Sequence, residues 1–240
     1  LRGHDVTLFE KEAELGGMLN VAVIPPHKEE LNNLRDYLTY QMEILPVHVR
    51  CGEEFTTEKL DELNPDAVIM ASGSKHIIPP IPGVDGENVV TAIDVLNGSA
   101  SVKDTVVVIG GGLIGVETAE YLADRGRKVT VVEMLPSIAQ DVGPSNRWGL
   151  LSRLRNKVSV MTDTLVTGIT ETAVFVRDKA ERQAEIEAES VIIAVGLCQQ
   201  RGMEDAVRAS GREYIAIGSC CEPGQIFEAM ADGFSAGIRV

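Results

Sequence analysis

The sequence predicts an α/β fold built on parallel strands, and three observations carry that expectation. Apolar runs such as Val106-Val107-Val108-Ile109, Ala67-Val68-Ile69-Met70-Ala71 and Val191-Ile192-Ile193-Ala194-Val195 read without polar interruption, as strands buried on both faces do. The chain has 23 glycines against 4% aromatic residues, which favours glycine-punctuated α/β units over an aromatic-rich β-sandwich. One layout also occurs twice. Arg2-Gly3-His4-Asp5-Val6-Thr7-Leu8-Phe9-Glu10 parallels Arg125-Gly126-Arg127-Lys128-Val129-Thr130-Val131-Val132-Glu133, each a helix end, a glycine turn, a β-branched strand and an acid.

A length of 240 residues fits two modest domains. The net charge of −14 repels phosphate backbones and anionic membrane surfaces, so neither nucleic acid nor membrane is an expected partner. Cys51, Cys198, Cys220 and Cys221 form no CxxC pair, which argues against a zinc site or a thioredoxin-like dithiol. Isolated thiols suit a reducing cytoplasm. No apolar run of about 18 residues or more appears, and no signal-peptide pattern. The chain starts at Leu1 without Met, close to a strand whose glycine-rich partner is missing, and reads as a beginning cut from something longer.

In chain order, the first strand ends at Glu10 and is followed by Leu15-Gly16-Gly17. Leu31, Leu34, Leu38 and Met42, spaced by three and four, predict a helix from Lys28 to Ile44. The strand Ala67–Ala71 ends in Ser72-Gly73-Ser74. The run Pro79-Pro80-Ile81-Pro82-Gly83 makes an extended connector, and the interdomain crossing is expected just after it. Val106–Ile109 is a strand, and a helix follows from about Leu113 to Asp124. It packs through Ile114, Ala119, Leu122 and Ala123 and stops at Gly126. Ser159–Met161 and Thr172–Val176 alternate as short antiparallel strands, Asp178-Lys179-Ala180 is a turn, and Glu181 to Glu189 reads as a solvated charged turn. Val191–Gly196 and Tyr214–Gly218 are strands ending in glycine, and Ile226–Phe234 fits a terminal helix.

Gly110-Gly111-Gly112-Leu113-Ile114-Gly115 follows a strand and opens a helix. In such a Rossmann turn the first glycine makes the bend, the second admits a pyrophosphate and the third brings helix and sheet together. The helix's first amides face the phosphates. Glu133 follows at the distance of the ribose-binding acid, about 20 residues on. It would accept from both ribose hydroxyls and repel a 2′-phosphate, favouring NADH over NADPH, although Arg127 or Lys128 offers a phosphate partner and a plain strand-end role in solvent stays open. Glu117 is placed near the positive end of the helix dipole. Glu10 holds the matching position in the first copy, whose glycine loop is missing. His27 is read as a loop or helix-start residue, and Cys220-Cys221 as packing rather than a redox couple.

With these residues in view, the chain resembles the C-terminal module of the NADH:flavin oxidoreductase, enoate reductase and 2,4-dienoyl-CoA reductase family over nearly its whole length. The stretches that carry the resemblance are Leu8-Phe9-Glu10-Lys11 with Leu15–Asn20, Pro25–Glu30, Ala71-Ser72-Gly73-Ser74, the glycine fingerprint with Glu117–Glu120, and Ile217–Pro223. The resemblance implies two Rossmann-like dinucleotide-binding domains. An FAD-type domain over 1–98 and 203–240 lacks its N-terminal glycine-rich βα unit and is interrupted by an NAD-binding domain over 99–202.

NADH would reduce FAD, and in such enzymes an iron-sulfur cluster relays electrons to FMN in an N-terminal barrel that reduces an activated alkene. That barrel is the expected partner, and a homo-oligomer is left open. The implied cofactor residues are Gly110, Gly112, Leu113, Ile114, Gly115, Glu117, Glu133 and Gly196 for NADH. For FAD they are Glu10, Lys11, Gly16, Gly17, Ala71, Ser72, Gly73, Gly218 and Ser219. No metal ligand and no acid-base residue is expected in this stretch, because the chemistry belongs to the cofactors. Ser219 stands where the family has Asp, which together with the missing loop predicts weak FAD binding by these residues. The rival reading is a non-catalytic module, or an inactive fragment, that holds ADP or NAD for structural reasons. A thioredoxin-reductase-type enzyme is disfavoured by the missing CxxC.

Overall fold

A computed structural model describes residues 2–200 and 202–240; Leu1 and Arg201 lie outside the described residues. The chain divides into two compact units, Leu1–Val23, Glu29–Lys75 and Leu197–Val240 forming one, and Ile24–Lys28 with His76–Gly196 the other. No helix among the described residues is long and apolar enough to cross a membrane.

The first unit opens with β1 (Val6–Glu10), α1 (Met18–Ala22), α2 (Glu30–Ile44), β2 (Val47–Cys51), α3 (Thr57–Leu63) and β3 (Ala67–Met70), and β4 (Ser74–His76) runs across its end in the sequence. The second unit holds β5 (Val89–Thr91), α4 (Ala92–Leu96), β6 (Thr105–Ile109), α5 (Leu113–Ala123), β7 (Lys128–Val132), α6 (Pro144–Leu154) and β8 (Val158–Met161). It continues with β9 (Thr164–Ile169), β10 (Ala173–Asp178), β11 (Gln183–Glu187) and β12 (Ser190–Ile193). The chain returns to the first unit with β13 (Leu197–Gln199), α7 (Glu204–Ala209), β14 (Glu213–Ala216) and α8 (Ile226–Arg239).

In the second unit five parallel strands run in the order β5-β12-β6-β7-β8. Consecutive β-branched residues of β6 point to opposite faces and both are buried, because each face is covered. Val106 and Val108 pack with Val116, Ala119 and Leu122 of α5 and Leu150 and Leu154 of α6. Val107 and Ile109 pack with Val166, Ile169, Val174 and Val176 of an antiparallel β11-β10-β9 layer. Each such fully buried side chain contributes about 1.5–3 kcal/mol. The helix α5 ends where Gly126 turns into the left-handed region, with Arg127 N–H donating back to Leu122 O.

The first unit is thinner. Strands β1 and β2 pair in parallel, and β14 and β3 pair in parallel, but the two pairs are separate sheets. Its buried cluster is Leu60, Val68 and Val207, with Phe55, Met70, Met203 and Tyr214 against it. The helix expected from Lys28 forms from Glu30, and its apolar face is only half-buried.

Three expectations are corrected. Ser159–Met161 belongs to β8, a parallel edge strand paired with β7 and not an antiparallel one; alternation marks one covered face and carries no strand direction. Glu181 to Glu189 is not simply a turn, since Gln183–Glu187 is the edge strand β11 on β10, with Ile186 packing inward and charges outward, as exposed edges require. The division between units falls at Lys75/His76 and Gly196/Leu197, before the proline run and not after it, because Ile81 and Val84 pack into the second unit's core; β5, expected within 1–98, registers Val89 to Thr91 against β12 in the second sheet.

Candidate functional site

The glycine turn leaves the central strand β6 at its carboxyl end, the place where open parallel sheets bind ligands. Gly110 adopts φ +107°, and its N–H donates to Val132 O at 2.9 Å. A Cβ on Gly115 would overlap the Gly110 carbonyl oxygen, so the start of α5 can lie against the turn only with glycine there. Gly112 caps α5 in extended geometry, and its side-chain position opens toward Asp141, whose Oδ2 would lie 3.3 Å from a Cβ. Leu113 and Ile114 are half-buried against the helix-side core. Gly196 follows β12 with φ +123°, and its carbonyl accepts from Ile77 N–H.

Glu133 directly follows β7 and is only 8% exposed. Its Oε2 accepts from Gly111 N–H at 2.6 Å and its Oε1 from Leu135 N–H at 2.8 Å. These bonds hold the carboxylate beside the turn, which removes the reading of a strand-end acid in solvent. Each carboxylate oxygen has a further lone pair for a ribose hydroxyl. The buried glycine cradle and this acid together fit an adenine dinucleotide.

Glu117 is the fifth residue of α5, and the helix has no acid in its first turn, so the dipole placement is corrected. Its carboxyl is pushed above the usual range by burial, an effect offset in part by Lys28, whose Nζ lies 2.7 Å away. Glu120, one turn further, is buried at 1% exposure and held by a two-pronged bond from Arg153 of α6 at 2.6 and 3.0 Å.

In the first unit Glu10 ends β1, and its Oε1 accepts from Glu12 N–H at 3.0 Å. Lys11 is exposed beside Glu12. Gly16 and Gly17 both take positive φ before α1. Ala71, Ser72 and Gly73 follow β3, with Ser72 Oγ donating to Gln200 O. Gly218 N–H donates to Asp232 Oδ2 at 3.0 Å, and Ser219 lies in the same short 3-10 turn. No glycine turn between a strand and a helix supplies phosphate amides among the described residues of this unit. The fit to FAD is therefore partial. Cys220 is buried with Sγ 3.0 Å from Met70 O, a packing position. His27 sits in a loop at φ 64°.

Sequence reasoning missed Lys28, Gly111 and Asp141. Gly111 had a signal, as the middle glycine of the run; Ile138 Cγ2 would lie 2.5 Å from a Cβ there. Lys28 and Asp141 had none, since only folding brings them to α5.

A parallel sheet with a glycine turn at its central strand and a buried acid on the next strand defines a Rossmann dinucleotide-binding unit. Comparison with known proteins takes this further. The family described as pyridine nucleotide-disulphide oxidoreductase matches residues 3–220. The chain is 39% identical over 238 residues to a bilirubin reductase of Mediterraneibacter gnavus, covering 98% of this chain and 37% of that protein. It is 37% identical over 245 residues to an NADH oxidase of Thermoanaerobacter brockii, covering 100% of this chain and 38% of the other. Among solved structures, a 2-naphthoyl-CoA reductase in complex with 2-naphthoyl-CoA superimposes with a TM-score of 0.95 at 30% identity, over 100% of this chain and 36% of that one.

The chain belongs to the pyridine nucleotide-disulphide oxidoreductase family, as an FAD- and NAD(P)H-binding oxidoreductase module of the kind found in enoate-reductase-like flavoproteins. It spans less than two fifths of the length of these relatives.

Proposed function

We propose that the chain is the NADH-entry module of a longer flavoprotein reductase, with the second unit binding NADH and the first forming the FAD domain. When both are bound, NADH supplies a hydride and FAD accepts it; the protein orients the rings and excludes water. The observation that carries this reading is Glu133, a buried carboxylate fixed at the glycine turn, where a ribose diol is welcome and a 2′-phosphate would meet a negative charge. The amides of Leu113 and Ile114 would take the pyrophosphate, with Gly110, Gly112 and Gly115 keeping the approach clear and Gly196 bordering it. The Lys28–Glu117 pair borders the cradle from the second turn of α5.

For FAD we assign Glu10 and Lys11, Gly16 and Gly17, Ala71, Ser72 and Gly73, and Gly218 with Ser219. The second unit places β6, with its glycine turn, between β7 and β12. Among the described residues, the first unit's strand pairs β1 with β2 and β3 with β14 have no such strand between them. Val6 and Ile69 are each 41% exposed, and Phe227, Phe234 and Ile238 of α8 lie bare. A strand, glycine turn and helix from elsewhere in the same enzyme would complete the sheet and cover this surface. In the whole protein we place an FMN barrel and an iron-sulfur cluster beyond this module. The substrate would be an activated alkene of the enoate or 2,4-dienoyl-CoA type, in keeping with the acyl-CoA bound by the 2-naphthoyl-CoA reductase. Four unpaired thiols suit a cytoplasmic setting.

The test is thermal. NADH at about 100 times its Kd adds about 2.7 kcal/mol of stability, which raises the melting temperature. NADPH raises it less, and Gly112→Asp, which sets a second carboxylate against Asp141, abolishes the shift. An unchanged melting temperature with millimolar NADH would sink the reading.

A further inference from the structure

The loop after β7 lies on the glycine turn. Ile138 is buried against Gly111 and Glu133. Ala139 is fully buried at φ 54°, a conformation that L side chains rarely adopt, and its N–H donates to Gly111 O at 2.6 Å. The Ile138 carbonyl is held from the other side by Arg147, at 2.9 and 3.2 Å. Two residues past this anchor, Asp141 sets both carboxylate oxygens on the first amide of α5, at 3.0 and 2.9 Å from Leu113 N. The backbone then passes through Val142 and the exposed Gly143 into α6.

Leu113 N–H is a donor that a dinucleotide's pyrophosphate needs, because phosphates bind the first amides of a helix behind a glycine turn. A carboxylate and a pyrophosphate cannot share it. They would overlap, and their like charges would repel at close range. We propose that Asp141 is an internal anion that occupies the pyrophosphate cradle when no dinucleotide is bound and must swing away, on the segment between the Ala139 anchor and Gly143, for NADH to enter. The loop is an autoinhibitory strap, anchored firmly at Ile138–Ala139 and exposed at Asp141. It sets a threshold against weak anionic ligands while leaving the Glu133 side of the site open.

The inference rests on the reading that the second unit binds NADH, and one titration separates the two. In the 240-residue chain, D141N and D141S are compared with the unaltered protein for binding of NADH, ADP-ribose and adenosine. Calorimetry reads the affinity, supported by the emission of Trp148, the only tryptophan, which is 78% exposed on α6. The strap predicts about tenfold tighter NADH and ADP-ribose in both variants, or about 1.4 kcal/mol, and unchanged adenosine, which carries no phosphate.

A plain helix-capping role lowers the melting temperature without tightening either ligand. Affinities within twofold of the unaltered protein, or weaker, overturn the strap and leave the NADH reading intact. Tightening of adenosine by the same factor also overturns it, since the effect would then not act through the phosphate cradle. Failure of all three proteins to bind NADH or ADP-ribose overturns both. Should D141N not fold, D141S carries the comparison, since serine keeps a capping oxygen without the charge.

Discussion

Arg153→Met cuts the charge-assisted support given to a buried carboxylate at the back of α5. Glu120 is 1% exposed, and both of its oxygens are engaged by the guanidinium at 2.6 and 3.0 Å. Removing one partner of a buried pair costs about 3–5 kcal/mol, because the remaining charge stays desolvated. The Arg153 side chain is 35% exposed, so water reaches the vacated end and the lower figure of about 3 kcal/mol applies. At about 2–4 °C per kcal/mol for a chain of this size, the melting temperature falls by about 6–12 °C.

The assay is differential scanning calorimetry of the unaltered chain, R153M, and the double variant E120L/R153M. Replacing both members with apolar residues of similar volume removes the stranded charge, and the double variant recovers to within about 1 kcal/mol of the unaltered protein. A single variant that melts with the unaltered chain, or a double variant no better than the single, would refute the claim that a paired buried carboxylate ties α5 to α6.

Two further outcomes follow. Gly115→Ala drives a Cβ into the Gly110 carbonyl with the Ala194 methyl 3.3 Å to the side, an overpacking worth about 1–3 kcal/mol that also deforms the cradle. It lowers the melting temperature and removes the NADH-induced shift, whereas Gly112→Ala melts near the unaltered protein. Equal melting of the two would contradict the geometry. The second outcome is a pH dependence. Burial pushes the His76 imidazole below its ordinary value of about 6.5, Asp94 offsetting this in part, and its Nε2 is buried without a hydrogen-bond partner. The unfolded chain therefore binds that proton more readily. Stability is fully present above about pH 6.5 and is lost as pH falls through the lower folded value. Melting temperatures should fall from about pH 7 to about pH 5.5, and less steeply for His76→Gln; parallel slopes would remove His76 as the cause.

Most of the NADH half was legible because its signals are local. The run Val106–Ile109, the glycines behind it, the helix from Leu113 and the acid at 133 lie in sequence order and encode strand, turn, helix and the acid beside the turn by residue type. Repetition of the same layout at Glu10 marked the corresponding strand and acid of the first unit. Two edge strands of the second unit were misread for the same reason: alternation in Ser159–Met161 reports one covered face, and the charges of Glu181–Glu189 report exposure, but neither reports what the strand pairs with.

By itself the sequence determined the α/β class, the site of the dinucleotide turn and the acid beside it, since backbone conformation and hydrophobic period are properties of neighbouring residues. Only the tertiary structure decided that β5 joins the second sheet and that Glu120 is sealed by Arg153. It also brought Lys28 against Glu117 and laid Asp141 on the first amide of α5. Each of these is a contact between charges or strands distant along the chain, and a side chain's partner across such a distance is fixed by packing, not by its neighbours.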